Sequence, residues 1–407
     1  MDIVDPGSLG FDAARLARID DFLEHRYLES GRFAGMQLLV ARDGKPVHFT
    51  SRGAMREDGT PVAADTLFRI ASMTKPITSV AFMMLVEEGR VLLDDPVTAV
   101  IPEWRDLGVW SGGGGGAPFL SRPLAAPMRM IDLLRHTAGL TYGFQNRSNV
   151  DAAYRAAEIE NWWGPHDLDS VVRTLAGIPL EFAPGAAWNY SVATDILGLV
   201  IERISGQRLD AFFQERIFAA LGMEDTFFQV PADKVDRLGD CWTMHPAKGR
   251  ILYDRGADSR WARRPTQLSG GGGLVSTSAD YLRFATMLLN RGEREGVRLL
   301  SPKTVELMTR NHLPGGADLA SLSQSMFSEA TNAGVGFGLG VAVTVDPAPT
   351  LIHGSAGEFY WGGFFSTAFH IDPVERLIIV FMAQLSPSTT WPVRRELRTL
   401  VYSALTG

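Results

Sequence analysis

Apolar residues recur at helical spacing at Ile77, Val80, Ala81, Met84 and Leu85 and stop at Gly89, so Ile77 to Glu88 reads as a buried helix with a glycine cap. Phe11 to Arg32 has the same period. Two apolar runs, Met36 to Ala41 and Val47 to Ser51, flank Asp43-Gly44, a turn signal that predicts a β-hairpin. At the other end of the chain Gly336 to Val343, Phe364 to Ile371 and Leu377 to Ala383 read as strands, the last two joined through Asp372-Pro373, and Val393 to Ala404 reads as a helix. Strands at both ends imply one antiparallel sheet closed by the two termini and flanked by helices. Between them the pattern turns helical, at Ser170 to Ala176, Thr194 to Ser205 and Leu209 to Leu221. The predicted class is α+β, with residues 1–90 and 275–407 forming the sheet domain and 91–274 an inserted, mainly helical domain.

Two glycine runs interrupt these patterns. Gly112 to Gly116 favours neither regular structure and is expected to be a flexible surface loop. Reading it as a phosphate cradle fails for want of a Lys-Ser/Thr ending and a preceding strand. Gly270 to Gly273 precedes Leu274-Val-Ser-Thr and reads as a tight lead-in to the sheet domain.

Composition narrows the function. The 407 residues exceed the usual single-core size, and the balance of 45% apolar and 21% charged residues is that of an ordinary globular protein. A formal charge of −7 without a basic stripe argues against a nucleic-acid partner. No stretch approaches about 18 uninterrupted apolar residues, so no membrane span is expected. The first residues have neither a basic nor an apolar leader pattern, and the expected location is the cytoplasm. Cys241 has no second cysteine to pair with and reads as a structural residue. No spacing of His, Cys or carboxylates suggests a metal, and no cofactor is expected. Oligomeric state is not written in the chain.

The most informative chemistry is Ser72-Met-Thr-Lys75, the one place where a serine stands three residues before a lysine. Residues at that spacing share a helix face, and Pro76 is tolerated only in a first turn, so the helix must begin close to Ser72. A serine there lies where developing negative charge is stabilised, with an amine one turn on to take its proton. The pair also fits an ordinary N-cap followed by a solvated lysine. Tyr190, between a Pro-Gly turn and the apolar helix that follows, can exchange protons with Ser72 or a leaving group, or can simply bury its ring at a boundary. Gly362 and Gly363, in Trp361-Gly-Gly-Phe364, allow a ligand close to the backbone, so the N–H of Phe364 together with that of Ser72 can form an oxyanion hole. The same glycines can also mark a bulge.

Taken in order, Ser72-x-x-Lys75, Leu133-Leu-Arg-His136-Thr-Ala-Gly139-Leu, Phe182-x-Pro-Gly-x-x-Trp-x-Tyr190-Ser, Ser276-Thr-Ser-Ala-Asp280-Tyr, Leu299-Leu-Ser-Pro-Lys303 and Trp361-Gly-Gly363 resemble the serine β-lactamase and penicillin-binding-protein superfamily. Within it the chain resembles the class C β-lactamase-like carboxylesterases called family VIII, over nearly its whole length. The resemblance implies Ser72 as acylated nucleophile, Lys75 as its activating partner and Tyr190 as proton shuttle, in a cleft between the sheet domain and the inserted helices. True β-lactamases of the superfamily resemble one another in a Tyr-x-Asn element and a Lys-Thr-Gly strand. Here the corresponding positions read Tyr190-Ser-Val192 and Trp361-Gly-Gly363. Val192 cannot hydrogen-bond an amide and Trp361 cannot pair with a carboxylate, which suits a neutral ester of short to medium chain better than an anionic antibiotic. Counting back from Asp372-Pro373 favours Trp361 for the third motif, although His353-Gly-Ser355 is a second alignment. Tyr142 and Phe144 are candidates for the pocket wall as well as for core packing. His136 is assigned to structure and Ser355 to a loop, since the Gly-x-Ser-x-Gly elbow is absent. The expected function is a serine carboxylesterase acting on small-molecule esters. A weak cephalosporinase, a D-amino-acid peptidase or an acyltransferase of the same fold, or a non-catalytic scaffold, are the alternatives.

Overall fold

The computed structural model describes residues 2–324 and 332–407. The first helix, α1 (Ala13–Leu23), starts where Asp12 accepts hydrogen bonds from the N–H groups of Ala14 and Arg15 at 2.9 and 3.1 Å, and it continues as a π turn to Leu28. The Asp43-Gly44 hairpin then joins β1 (Gly35–Arg42) to β2 (Lys45–Gly53). Further along come α2 (Thr74–Glu87), α3 (Ala193–Ser205) and α4 (Ser278–Leu289). The strands β3 (Val335–Phe337), β4 (Ala342–Thr344), β5 (Phe359–Gly362), β6 (Ala368–Asp372) and β7 (Leu377–Ala383) follow, and α5 (Val393–Ser403) closes the chain.

The seven strands form one antiparallel sheet in the order β3-β4-β5-β6-β7-β1-β2, with Leu39 opposite both Val380 and Phe49. Strands from the two ends of the chain therefore pair directly, β1 with β7. Because successive side chains alternate faces, Leu38, Val40, Ile379 and Phe381 pack on α1 and α5, while Leu39, Ala41, Ile378 and Val380 join the larger core with α2 and α4. That two-sided burial explains why β1 reads as a continuous apolar run rather than an alternating one. Within that run the buried Gln37 donates to the carbonyl of Ala63 and accepts from Ser278 Oγ at 2.7 Å.

Three predicted elements differ from the sequence reading. Gly336 to Val343 is a hairpin, bent at Gly340, where φ is +93° and a Cβ would lie 2.0 Å from Ser79 Oγ. The strand predicted from Phe364 begins only at Ala368, because β5 ends at Gly362 and residues 363–367 turn the chain. The glycines expected to form a flexible loop belong to a hairpin, Gly108–Gly114 against Ala117–Pro123, whose tip uses positive φ at Gly113 to Gly116. The middle of the chain contributes a second hairpin, Cys241–His245 with Gly249–Asp254, which pairs in parallel with Leu385–Ser386 just after β7. Val275–Ser276 pairs with Phe68–Arg69, and this brings Gly270 to Gly273 beside the start of α2. Among the described residues no helix is long and apolar enough to cross a membrane.

Candidate active site

From Thr66 to Leu85 every residue is buried except Ser72. The chain reaches it through Ala71, whose φ of +44° is unusual for a residue with a Cβ and costs on the order of 1 kcal/mol. A single 3-10 turn, Ala71–Met73, then leads into α2, with Pro76 in its first turn as the sequence requires. The turn is pinned from outside: Tyr281 Oη donates to the carbonyl of Met73 at 3.0 Å, and the Leu274 N–H to Thr74 Oγ1 at 3.2 Å.

Lys75 is fully buried. Its Nζ donates to Ser72 Oγ at 3.2 Å, to Tyr142 Oη at 3.1 Å and to the carbonyl of Gly271 at 2.6 Å. The second glycine run thus does more than lead into the sheet. The Gly271 N–H donates to Asp195 Oδ1 at 3.1 Å, and a Cβ on Gly271 would come within 2.5 Å of that carboxylate. Burial pushes the Asp195 carboxyl up, while the Lys75 charge opposes the shift.

Tyr190 presents its ring to the same amine, with Nζ 4.5 Å from the centroid. Its hydroxyl accepts from Trp361 Nε1 at 3.2 Å, so the tryptophan standing in the third motif touches the phenol of the second. His353 lies in a bend outside the cleft lining, and Trp361 is the motif residue that reaches the site. His136 is buried with its ring 4.9 Å from that of Tyr190 and its Nδ1 3.3 Å from Ser191 Oγ. Burial holds its imidazole well below the ordinary histidine range.

These groups open onto a cleft of about 960 Å³. Tyr142 and Phe144 stack at 4.7 Å, and Phe364, 6.3 Å from Phe144, extends that wall with Trp361 beside Tyr190. Gly362 and Gly363 form the backbone edge of the cleft. β4 pairs with Phe359 and Tyr360 only, which leaves the backbone from Trp361 onward without a strand on that side. Val192 is a correction. It caps α3 with its side chain in the apolar core and does not line the cleft, because its position at the helix start turns it inward.

The cleft has further aromatic lining that the motif pattern does not predict. Trp162, Trp163, Trp261 and Tyr253 gather there, with Trp163 and Trp261 4.7 Å apart and the Arg260 guanidinium 5.2 Å from the Tyr253 ring. They come from segments about a hundred residues apart, and only the doubled Trp162-Trp163 was a visible signal. Glu160 also lines the cleft, accepting from the Gly143 N–H at 2.6 Å, and burial pushes its carboxyl up to about 7. The folded protein therefore holds this proton more tightly than the unfolded chain. The resulting stabilisation is complete below about pH 4.5, and about 3 kcal/mol is lost as the pH rises through 7. In thermal melts at pH 5 and pH 8, Glu160→Gln is expected to lose less stability than the parent between the two. Equal losses would show that this carboxyl titrates normally.

A buried lysine hydrogen-bonded to a solvent-facing serine at a helix start, in an antiparallel sheet flanked by helices, defines a serine hydrolase. The Beta-lactamase family model matches residues 20–403, and the chain belongs to that family. It is similar to protein Rv1367c of Mycobacterium tuberculosis, with 36% identity over 88% of each chain. It is similar also to esterase EstB of Burkholderia gladioli, with 32% identity over 98% of each. Among solved structures it resembles EstCE1, described as a hydrolase with promiscuous acyltransferase activity, with a TM-score of 0.80 and 26% identity over 96% of this chain and 99% of that one.

Proposed function

We propose that this protein is a carboxylesterase that hydrolyses short- to medium-chain carboxylic esters through an acyl-enzyme on Ser72. The observation that carries the reading is the Lys75 Nζ to Ser72 Oγ hydrogen bond of 3.2 Å in a cleft where Trp361 holds the third-motif position. A neutral lysine amine has two N–H groups and one lone pair. The carbonyl of Gly271 and Tyr142 Oη occupy the two donors, which leaves the lone pair for the Ser72 proton. As Ser72 Oγ bonds to the ester carbonyl, the carbonyl electron pair moves onto oxygen, where the N–H groups of Ser72 and Phe364 hold it. Collapse breaks the bond to the alkoxide, which takes a proton from the Tyr190 hydroxyl or the Lys75 ammonium. Water then attacks the acyl carbon, gives its proton to the same pair, and Ser72 leaves as a hydroxyl with the acid set free.

Similarity to a protein named esterase supports the ester class, and the apolar wall supports a neutral substrate. A second reading, transfer of the acyl group to an alcohol, draws on the size of the cleft and on the description of EstCE1. One assay addresses both. p-Nitrophenyl acetate to octanoate are expected to be hydrolysed with kcat/KM at least about 100-fold above that for a chromogenic cephalosporin, since the Trp361 side chain itself cannot form an ion pair with a carboxylate. Preference for the cephalosporin would overturn the ester assignment. An added alcohol that diverts most of the acyl group into a new ester would favour transfer over hydrolysis.

A further inference from the structure

Gly362 and Gly363 have different neighbours, and neither neighbour is substrate. A Cβ on Gly362 would lie 2.5 to 2.7 Å from the guanidinium of Arg394, in the first turn of α5. A Cβ on Gly363 would lie 2.3 Å from the carbonyl oxygen of Ile70 and 2.2 Å from Thr367 Oγ1. One glycine admits a cation close against the strand, and the other lets the strand end close against the segment that carries Ser72.

The contacts made there are specific. Arg394 Nη2 donates to the carbonyl of Gly363 at 2.7 Å and to that of Thr367 at 2.8 Å, so a single nitrogen spans both ends of the turn after β5. The turn is closed from within by the Gly363 N–H on the Thr367 carbonyl at 2.8 Å and the Ser366 N–H on the Gly363 carbonyl at 3.2 Å. Thr367 Oγ1 in turn donates to the carbonyl of Ile70 at 3.2 Å, two residues before Ser72. The carbonyl of Gly363 and the N–H of Phe364 belong to one peptide unit, which is planar and trans, so they point in opposite directions. Holding the oxygen against Arg394 fixes the direction of the N–H on the opposite side of the peptide. A charge-assisted bond to that oxygen also draws electron density through the amide and makes the N–H a stronger donor.

We infer that Arg394 is a positioning residue for the oxyanion hole: it clamps the Gly363–Phe364 peptide by its carbonyl so that its N–H is aimed and polarised toward the oxyanion formed on Ser72. The inference rests on the function proposed above. It also explains why two glycines stand in a row after Trp361, where a ligand's approach alone calls for one.

The test is Arg394→Met, which keeps the apolar stem and removes the guanidinium, measured with p-nitrophenyl butyrate and with an alkylboronic acid that forms a tetrahedral adduct on serine. Losing an oxyanion donor outright costs about 100- to 1,000-fold in kcat, and a donor misaimed but present should cost about 10- to 100-fold, with KM changed less than about threefold. Affinity for the boronic acid should weaken by a similar factor, because it carries the tetrahedral oxygen. Arg394→Lys should lie between, and guanidinium added to Arg394→Ala should restore part of the lost kcat. A folded Arg394→Met with kcat and boronate affinity within about twofold of the parent would overturn the clamp. So would a variant that raises KM alone. Should Arg394→Met not fold, Arg394→Lys at full kcat would overturn it equally. Ser72→Ala run alongside separates the two claims: an active Ser72→Ala would sink the mechanism, whereas an inactive one beside a fully active Arg394→Met would sink the clamp alone.

Discussion

Ser72→Ala is expected to lower ester turnover by about 10⁴-fold or more while shifting the melting temperature by less than about 2 °C. The activity loss follows because, among the described residues, no other hydroxyl in the cleft lies on a helix start with a lysine amine at hydrogen-bond distance. The small stability effect follows from exposure. Ser72 is the one position between Thr66 and Leu85 that is not buried, and among the described residues the hydroxyl's side-chain bond is to Lys75, which keeps its contacts with Gly271 and Tyr142. Kinetics with p-nitrophenyl butyrate and a thermal melt of the same preparation check both halves. Turnover within about 100-fold of the parent would place the nucleophile elsewhere.

Lys75→Met has the next largest expected effect, a fall in kcat of about 10³- to 10⁴-fold. Methionine fills the volume of the lysine stem, so what is removed is the amine: the proton acceptor for Ser72 and the donor that holds Tyr142 and Gly271 in place. Stability should move by only a few degrees, because removing a buried polar amine is favourable while leaving the Gly271 carbonyl without its donor costs on the order of 1–3 kcal/mol. The distinguishing measurement is the rate at which a fluorophosphonate labels Ser72, since labelling needs the activated hydroxyl and no leaving alcohol. It should fall roughly in parallel with kcat. Labelling at the parental rate would confine Lys75 to the later steps.

Much of this site was legible because its parts are local. Ser72, Lys75 and Pro76 lie within one helical turn, and the apolar period after them fixes the face they share. The sheet was legible at both ends of the chain because β1, β2 and β7 are long and bounded by turn residues. What failed depended on residues far apart in sequence. Phe364 was read as the start of a strand, but the contacts that make residues 363–367 a turn come from Arg394 and Ile70. Gly112 to Gly116 reads as a flexible surface loop because glycine gives no propensity for a strand, yet at the tip of a hairpin its access to positive φ is what is needed. Tyr142 was placed among possible wall residues, whereas its hydroxyl bonds the lysine directly, a contact made across 67 residues. The role of Gly271 is carried by its backbone carbonyl, which no side-chain pattern reports. Val192 fails differently: alignment to a motif gives position, but not the direction in which a side chain points at a helix start.

The most direct measurement is to quench the enzyme in acid during turnover of a p-nitrophenyl ester and map the acyl group by peptide mass spectrometry. An acyl mass on the peptide containing Ser72, growing in with the release of p-nitrophenol and absent from Ser72→Ala, is the expected result. Release of p-nitrophenol with no acylated peptide, or with the acyl group on a different residue, would contradict it.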